Sequence, residues 1–327
     1  MCTCINFKTK DFYFGRTLDL TSHFREKVVI TPRNYEFLLK NGSTFRTKYS
    51  MIGMAMVCEN YPFYAEASNE KGLSIAGLYF PNSAYYFSPD PAKLNLTPYE
   101  IIPYFLGQYS SIYEMKDRLS QLNLTNFPFS DQLPLTDLHW MISDEKECIV
   151  LEQTKYGLKV YDNPIGVLTN NPPFYYHLLN LSNYSNLTPS FSESKFSVQI
   201  SLQQYGQGMG AIGLPGDNSP ASRFVRIAFH KLNSVCKSDE ESSITQFFHL
   251  LDSVSMIQGS TITKENQYDI TLYSCCINAT KGIYYYKTYS NNQITAVRMT
   301  ENEQKKKELS IFPFVEKQQI RYENELR

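Results

Sequence analysis

The sequence predicts an α+β fold in which helices cover stacked antiparallel sheets, and three observations carry that reading. Strand-like segments fill the first eighty residues, helical periodicity dominates the middle, and strands return near the end. Hairpin-like pairs alternate with helix pairs, where a doubly wound parallel sheet would show a βαβα rhythm. The 327 residues are 42% hydrophobic and 14% aromatic, ample for a packed core and too apolar for disorder.

The elements follow in order. Cys4-Ile5-Asn6-Phe7-Lys8 and Phe12-Tyr13-Phe14-Gly15-Arg16 alternate about Lys10-Asp11, which reads as a hairpin. Lys27–Thr31 is a strand closed by Pro32, and residues 49–58 and 72–80 are small and apolar, as buried strands are. Helical spacing covers residues 98–106 and 112–122. Leu138–Ser143 and Cys148–Thr154 pair about Asp144-Glu145-Lys146. Residues 166–169 form a short strand that runs into the breaker Asn170-Asn171-Pro172-Pro173. Residues 176–187 have helical spacing. Residues 190–204 are polar and fit no element, so they are read as a protruding or assembly segment. Residues 222–235 and 244–254 look like amphipathic helices, and residues 268–276, 282–289 and 293–298 are β-rich. The tail after Thr300, with Lys305-Lys306-Lys307, reads as a solvated face.

A net charge of −1 leaves no electrostatic footprint for nucleic acid or an anionic membrane. No apolar run approaches the roughly twenty residues of a membrane-spanning helix. The opening CTCINFKTKDFYFGR lacks the basic and apolar regions of a signal peptide, so a cytoplasmic protein is expected. The seven cysteines are odd in number and scattered, with no C-x-x-C pair, so neither a disulfide framework nor a structural zinc site is expected.

Cys2 is the residue with the most to say. A cysteine is small enough for the methionine before it to be clipped, which would leave a thiol and an α-amine on one residue. The amine's reference pKa of about 8 keeps a useful neutral fraction near pH 7. A nucleophile that carries its own base is the logic of N-terminal nucleophile enzymes. The plainer reading is an incidental cysteine at a frayed terminus; a strand beginning here would hold Cys2 rigidly. The hairpin would return Arg16 and Asp19 towards it. A guanidinium nearby favours the thiolate, and a carboxylate would orient the amine. Spacing alone favours a surface salt bridge of little worth instead. Asn170, at a strand end, suits an oxyanion-hole amide and suits a turn equally. Gly208-Met209-Gly210-Ala211-Ile212-Gly213 matches G-x-G-x-x-G, but Pro215 sits where the helix should run, so a glycine-rich turn is expected. The five histidines form no H-x-x-x-H pair and read as ordinary core or surface residues.

Taken together the chain resembles the choloylglycine hydrolases, which comprise bile salt hydrolases and penicillin V acylases. The matching stretches are Met1-Cys2-Thr3, Phe14-Gly15-Arg16-Thr17-Leu18-Asp19, Thr31-Pro32-Arg33-Asn34-Tyr35, Asn69-Glu70-Lys71-Gly72-Leu73, Gly166-Val167-Leu168-Thr169-Asn170-Asn171-Pro172, Gly213-Leu214-Pro215-Gly216-Asp217 and Ser222-Arg223-Phe224. The resemblance implies one N-terminal nucleophile hydrolase domain over residues 1–327, a four-layer αββα sandwich. It also implies a homotetramer that cleaves a linear amide, with no metal and no cofactor. Carried over, Cys2 resembles the nucleophile, Arg16 the arginine beside the thiol and Asp19 the carboxylate that holds the amine. Asn170 resembles the oxyanion-hole amide, and Arg223 the second active-site arginine. Where bile salt hydrolases typically carry Gly-Leu-Asn-Phe-Pro, this chain has Gly77-Leu78-Tyr79-Phe80-Pro81, similar to penicillin V acylases; a backbone N–H at Tyr79 would still serve an oxyanion. Residues 162–166, Ser274-Cys275-Cys276 and residues 282–286 look more like bile salt hydrolases. The substrate expected is a conjugated bile salt. The rivals are penicillin V, an N-acyl homoserine lactone, or none at all in a non-catalytic module that binds amphipathic acids. The aromatic loops at residues 61–64 and 127–129 are candidate pocket walls.

Overall fold

The computed structural model describes residues 1–191 and 193–324. The chain opens with β1 (Cys2–Lys8), β2 (Phe12–Leu20), β3 (Lys27–Thr31), β4 (Glu36–Leu38), β5 (Thr44–Arg46), β6 (Met51–Cys58), β7 (Tyr61–Asn69), β8 (Ser74–Tyr79) and β9 (Leu94–Leu96). Its middle holds α1 (Ile101–Gln108), α2 (Ile112–Ser120), β10 (Leu122–Leu124), β11 (Leu138–Ser143), β12 (Cys148–Thr154), β13 (Gly157–Asp162), β14 (Val167–Leu168), α3 (Phe174–Asn180), α4 (Pro220–Leu232) and α5 (Glu240–Asp252). It closes with β15 (Ile270–Asn278), β16 (Ile283–Thr288), β17 (Thr295–Arg298), α6 (Glu301–Gln304) and β18 (Ser310–Phe312).

One sheet has the order β14-β1-β2-β15-β16-β17 and the other β13-β12-β11-β8-β7-β6-β3-β18, with antiparallel pairing throughout both. The layering follows from the two-residue period of a strand. In β3, Val28 and Ile30 join the core that includes the first sheet, while Val29 points to the other side, where α1 and α2 supply Ile101, Phe105, Ile112 and Met115. In β11, Met141 faces the first core, and Trp140 and Ile142 face the second. Strands buried on both faces read as continuous apolar runs, which is why they are legible in the sequence. On the outer side of the first sheet, α4 and α5 contribute Phe224, Ile227, Phe247 and Leu251. Ser219 caps α4 ahead of Pro220, and Asp239 caps α5. The expected four-layer αββα sandwich is therefore present.

Two expectations need correction, and one strand carries no sequence signal. Residues 61–64 are not a loop; they begin β7. Glu59 and Asn60, both at positive φ, make the two-residue turn that joins β6 to β7. Cys58 and Tyr61 close that turn, so the nitrogen of Pro62 faces away from β6, on the side where β8 pairs only with residues 66–68. β13 has no apolar signature because it is an edge strand with much of its surface in water. Second, the charged tail is more than a solvated face. Lys305-Lys306-Lys307 are exposed, but β18 pairs with β3 to close the second sheet, and Phe314 and Val315 pack on the core. Residues 325–327 of that tail lie outside the described residues.

The segment at residues 190–204 carries no helix or strand among its described residues; Ser192 lies outside them. Phe196 and Val198 are almost wholly exposed. Residues 209–211 form a short 3-10 turn after Gly208 at φ +77°, as the turn reading of the glycine cluster requires. Among the described residues, no helix is long and apolar enough to cross a membrane.

Candidate active site

Cys2 opens β1 in the interior of a sheet, between β14 and β2, and is 4% exposed. It pairs with Leu18, and the ladder continues to Met1, whose carbonyl accepts from Asp19 N–H at 2.9 Å. The frayed-terminus reading thus fails: Cys2 is a rigid strand residue.

Arg16 lies on β2, flanked by Cys4 of β1 and Cys275 of β15, and is 1% exposed. Gly15 lets β15 come this close, since a Cβ there would sit 2.0 Å from the carbonyl oxygen of Cys275. The guanidinium is held by backbone. Nη1 donates to Gly77 O at 2.5 Å and Ala65 O at 3.3 Å, and Nε donates to Thr17 O at 3.2 Å. The Ala65 and Gly77 carbonyls are available because the β7–β8 ladder stops at Glu66 and Ala76, and Arg16 fills the opening beyond it. Burial works against its charge, but Cys2 and Glu66 beside it more than offset that and hold the guanidinium protonated.

Asp19 is wholly buried. Its Oδ1 accepts from Thr271 Oγ1 at 2.6 Å and its Oδ2 from Thr17 Oγ1 at 3.2 Å. Burial pushes its carboxyl upward, against the pull of the terminal amine and Arg223. The surface salt bridge favoured by spacing is therefore absent: Arg16 and Asp19 are separate buried groups. With Met1 in place, the terminal amine donates to Asp19 O at 2.6 Å and pairs with Asp269 Oδ2 at 3.3 Å. The nitrogen of Cys2 is then an amide, donating to Asn170 Oδ1 at 2.8 Å.

Asn170 follows β14 and is held from both ends. Its Oδ1 also accepts from Arg223 Nη2 at 2.8 Å, and its Nδ2 donates to Tyr79 O at 2.7 Å. Two donors on one side and a carbonyl on the other fix which end is oxygen, and one Nδ2 hydrogen remains beyond the Tyr79 bond. Arg223, from the first turns of α4, also reaches Cys2 O at 2.6 Å and Thr3 Oγ1 at 2.5 Å. Phe80 N–H donates to Asp137 O at 2.8 Å, so by alternation Tyr79 N–H points to the other edge of β8. That is the opened edge, where Gly77 O meets Arg16 and Tyr79 O meets Asn170.

Two buried histidines steady this loop. His139 Nε2 donates to Thr169 O at 2.8 Å and His177 Nε2 to Asn170 O at 2.9 Å. His177 stacks on Phe224, its Nδ1 has no hydrogen-bond partner, and burial drives its pKa down to about 4.

Cys2 and Arg16 form one end of a cavity of about 380 Å³. Leu20, Phe24, Met56, Ile102 and Leu135 make it apolar, and Tyr79, 45% exposed, lines it. Phe63, Tyr64 and Phe129 also line it, so both aromatic segments contribute, the first from a strand. A more open hollow of about 640 Å³ beyond Tyr99 and Phe129 has no part of Cys2 in its wall. Among the described residues, no three His, Cys, Asp or Glu side chains are grouped to hold a metal ion.

The five other residues singled out in the sequence, Arg16, Asp19, Tyr79, Asn170 and Arg223, thus gather around Cys2. Sequence reasoning missed Asp269, Glu66 and His177. Asp269 precedes a strand whose register sets Thr271 opposite Asp19, Glu66 sits in the strand misread at its start, and His177 lies in an ordinary helical pattern.

Residues 2–312 match the model of the family described as linear amide C-N hydrolases, choloylglycine hydrolase family. A bile salt hydrolase/transferase of Lactiplantibacillus plantarum is 47% identical over 96% of this chain and 97% of its own. Another, of Clostridium perfringens, is 44% identical over 91% and 92%. The crystal structure of a C2A variant of conjugated bile acid hydrolase from Clostridium perfringens superposes with a TM-score of 0.91 at 40% identity, covering 99% of this chain and all of that one. Penicillin V acylase from Agrobacterium tumefaciens gives a TM-score of 0.69 at 18% identity, over 92% of this chain and 87% of its own, a likeness of fold.

Proposed function

The chain belongs to the choloylglycine hydrolase family of linear amide C–N hydrolases, and from that premise we propose that it hydrolyses conjugated bile salts to free bile acid and glycine or taurine. The observation that carries this is Cys2 at the end of an apolar cavity, beside a buried guanidinium and an oriented Asn170 amide. Relatives named bile salt hydrolase/transferase at 47% and 44% identity support the substrate class.

The reaction begins with removal of Met1, which turns the Cys2 amide nitrogen into an amine beside Asn170 and Arg223. The Cys2 sulfur attacks the amide carbonyl carbon of the substrate as the thiolate, its proton held on the α-amine. The remaining Nδ2 hydrogen of Asn170 and the N–H of Tyr79 are suited to take the oxyanion, and a donor of this kind is worth about 10²–10³ in rate. The α-ammonium protonates the leaving nitrogen, so the C–N bond breaks and glycine or taurine departs from a thioester. The amine, now neutral, takes a proton from water; the hydroxide equivalent attacks the thioester and the thiolate leaves with the bile acid free. The buried Asp19 carboxylate, which the terminal amine of Met1 already stabilises, is suited to favour the charged amine of Cys2 once Met1 is gone. The apolar wall suits a steroid face.

The test compares kcat/KM of the Met1-processed protein on glycine- and taurine-conjugated bile salts and on penicillin V. Preference for the bile salts supports the reading. Preference for penicillin V overturns it and makes Tyr79 the deciding residue. Cys2→Ala should abolish turnover with the fold intact; substantial residual activity would remove Cys2 from the mechanism. The same reading makes residues 1–327 one hydrolase domain and the protein a cytoplasmic homotetramer. The exposed Phe196, Val198 and Tyr205 support an assembly face, and a monomer in sedimentation would refute it.

A further inference from the structure

Behind Arg16, on the side away from the cavity, lies a buried carboxyl group; burial pushes its pKa upward, against the pull of Arg16 and two phenol donors. Glu66 of β7 is wholly buried, and its Oε2 is 3.8 Å from Arg16 Nη1. Its remaining bonds come from donors on two other strands. Tyr273 Oη of β15 donates to Oε2 at 2.8 Å and Tyr284 Oη of β16 donates to Oε1 at 2.6 Å. Both phenols are themselves buried. Phenol hydroxyls converging on both oxygens are the surroundings of a carboxylate rather than of a carboxamide, because charge-assisted bonds of this kind are the strong ones.

The orientation of Arg16 is already determined by three backbone carbonyls, so Glu66 is not needed merely to hold the side chain in place. What Glu66 adds is charge. Arg16 sits between two groups that want its positive field: the Cys2 sulfur on the cavity side and the Glu66 carboxylate on the core side. In a buried, low-dielectric setting each anion lessens what the other receives. We propose that Glu66 is a positioning residue of the reaction, acting through Arg16: it balances the guanidinium charge from the core side and so sets how readily the Cys2 thiol ionises. A thiolate held too firmly is a poorer nucleophile, since nucleophilicity falls as basicity falls, so an arginine shared with Glu66 costs the sulfur less of its reactivity. The proposal rests on Cys2 being the nucleophile.

Other ionisable groups face this cluster and must be kept constant. They are Cys4 of β1, Asp19 of β2, Tyr64 of β7, Tyr79 of β8, Tyr273 and Cys275 of β15, Tyr284 of β16, Arg223 of α4, Asp269, and the terminal amine. None of them is altered by the substitution that tests the idea, Glu66→Gln, which is nearly isosteric and removes the carboxylate charge while putting an NH2 where one phenol found an acceptor.

The experiment measures alkylation of Cys2 by iodoacetamide against pH in the full-length, Met1-processed protein, without substrate, reading the N-terminal peptide by mass spectrometry so that Cys58 and Cys236 do not contribute. In Glu66→Gln the midpoint of the Cys2 profile should fall by about half a pH unit or more, a roughly threefold larger thiolate fraction below the midpoint. Tyr284→Phe, which removes one donor to Glu66 and leaves Arg16 untouched, makes the carboxylate draw harder on Arg16, so it should move the midpoint upward and by less, and serves if Glu66→Gln does not fold. A midpoint that stays put or rises in folded Glu66→Gln, or that stays put or falls in Tyr284→Phe, overturns the proposal and leaves Glu66 a structural residue. Because no substrate is present, this outcome is separate from the fate of the bile-salt reading, which is decided by turnover.

Discussion

Replacing His177 by glutamine removes a titratable group from behind Asn170 while keeping an N–H for the Asn170 carbonyl. In the folded chain His177 is wholly buried, it donates from Nε2 to Asn170 O, and Nδ1 has no partner. A second proton would have to go on Nδ1, in an apolar stack against Phe224 and near Arg223, which is why its pKa falls from 6.5 to about 4. In the unfolded chain the ring titrates normally, so between these values the unfolded state binds more protons. The neutral ring's contribution is therefore complete above pH 6.5 and is lost as pH falls towards 4. A gap of roughly 2.5 units at about 1.36 kcal/mol each amounts to about 3 kcal/mol. The assay is the urea midpoint and slope of the parent and of His177→Gln, taken from pH 7.5 to pH 4; taking the difference cancels the carboxylates that titrate in both. The parent's advantage over the variant should shrink by about 3 kcal/mol across that window. A difference that does not change with pH would refute the buried neutral tautomer and the account of how Asn170 is held.

Two further outcomes follow from the site. A chain kept with Met1, by expression with a methionine aminopeptidase inhibitor, should fold normally and turn over no substrate, because the Cys2 nitrogen is then an amide donating to Asn170 Oδ1; mass spectrometry of the terminus beside a turnover assay checks this. Asn170→Ala should lower kcat by about 10²–10³ through loss of an oxyanion donor. It also strands Arg223 Nη2, so the variant should lose stability as well as rate.

Much of the architecture is legible in the sequence for one reason. The central strands, such as Lys27–Thr31 and Leu138–Ser143, are buried on both faces, so their apolar runs stand out against turn residues. Where that contrast fades, the reading fails. Residues 157–162 form a largely wet edge strand, Pro62 disguises the start of β7, and β18 hides in a charged tail because it needs only three residues to cover an edge. Charge patterning speaks of solvent and says little about strand pairing.

The site divides in the same way. Sequence alone named the candidate groups: a second-position cysteine, two arginines, an aspartate and a strand-end asparagine, in the order of a known family. The two arginines and the aspartate are charged groups that would ordinarily sit in water. Tertiary structure alone decided that they are buried: Arg16 enters the opening where β7 and β8 part, Asp19 closes onto Thr17 and Thr271, and Arg223 spans Cys2, Thr3 and Asn170. It also decided which distant residues serve them, Glu66, Asp269 and His177. Their roles come from cross-strand register and packing over tens to hundreds of residues, and local sequence carries no trace of register between strands that meet only in the fold.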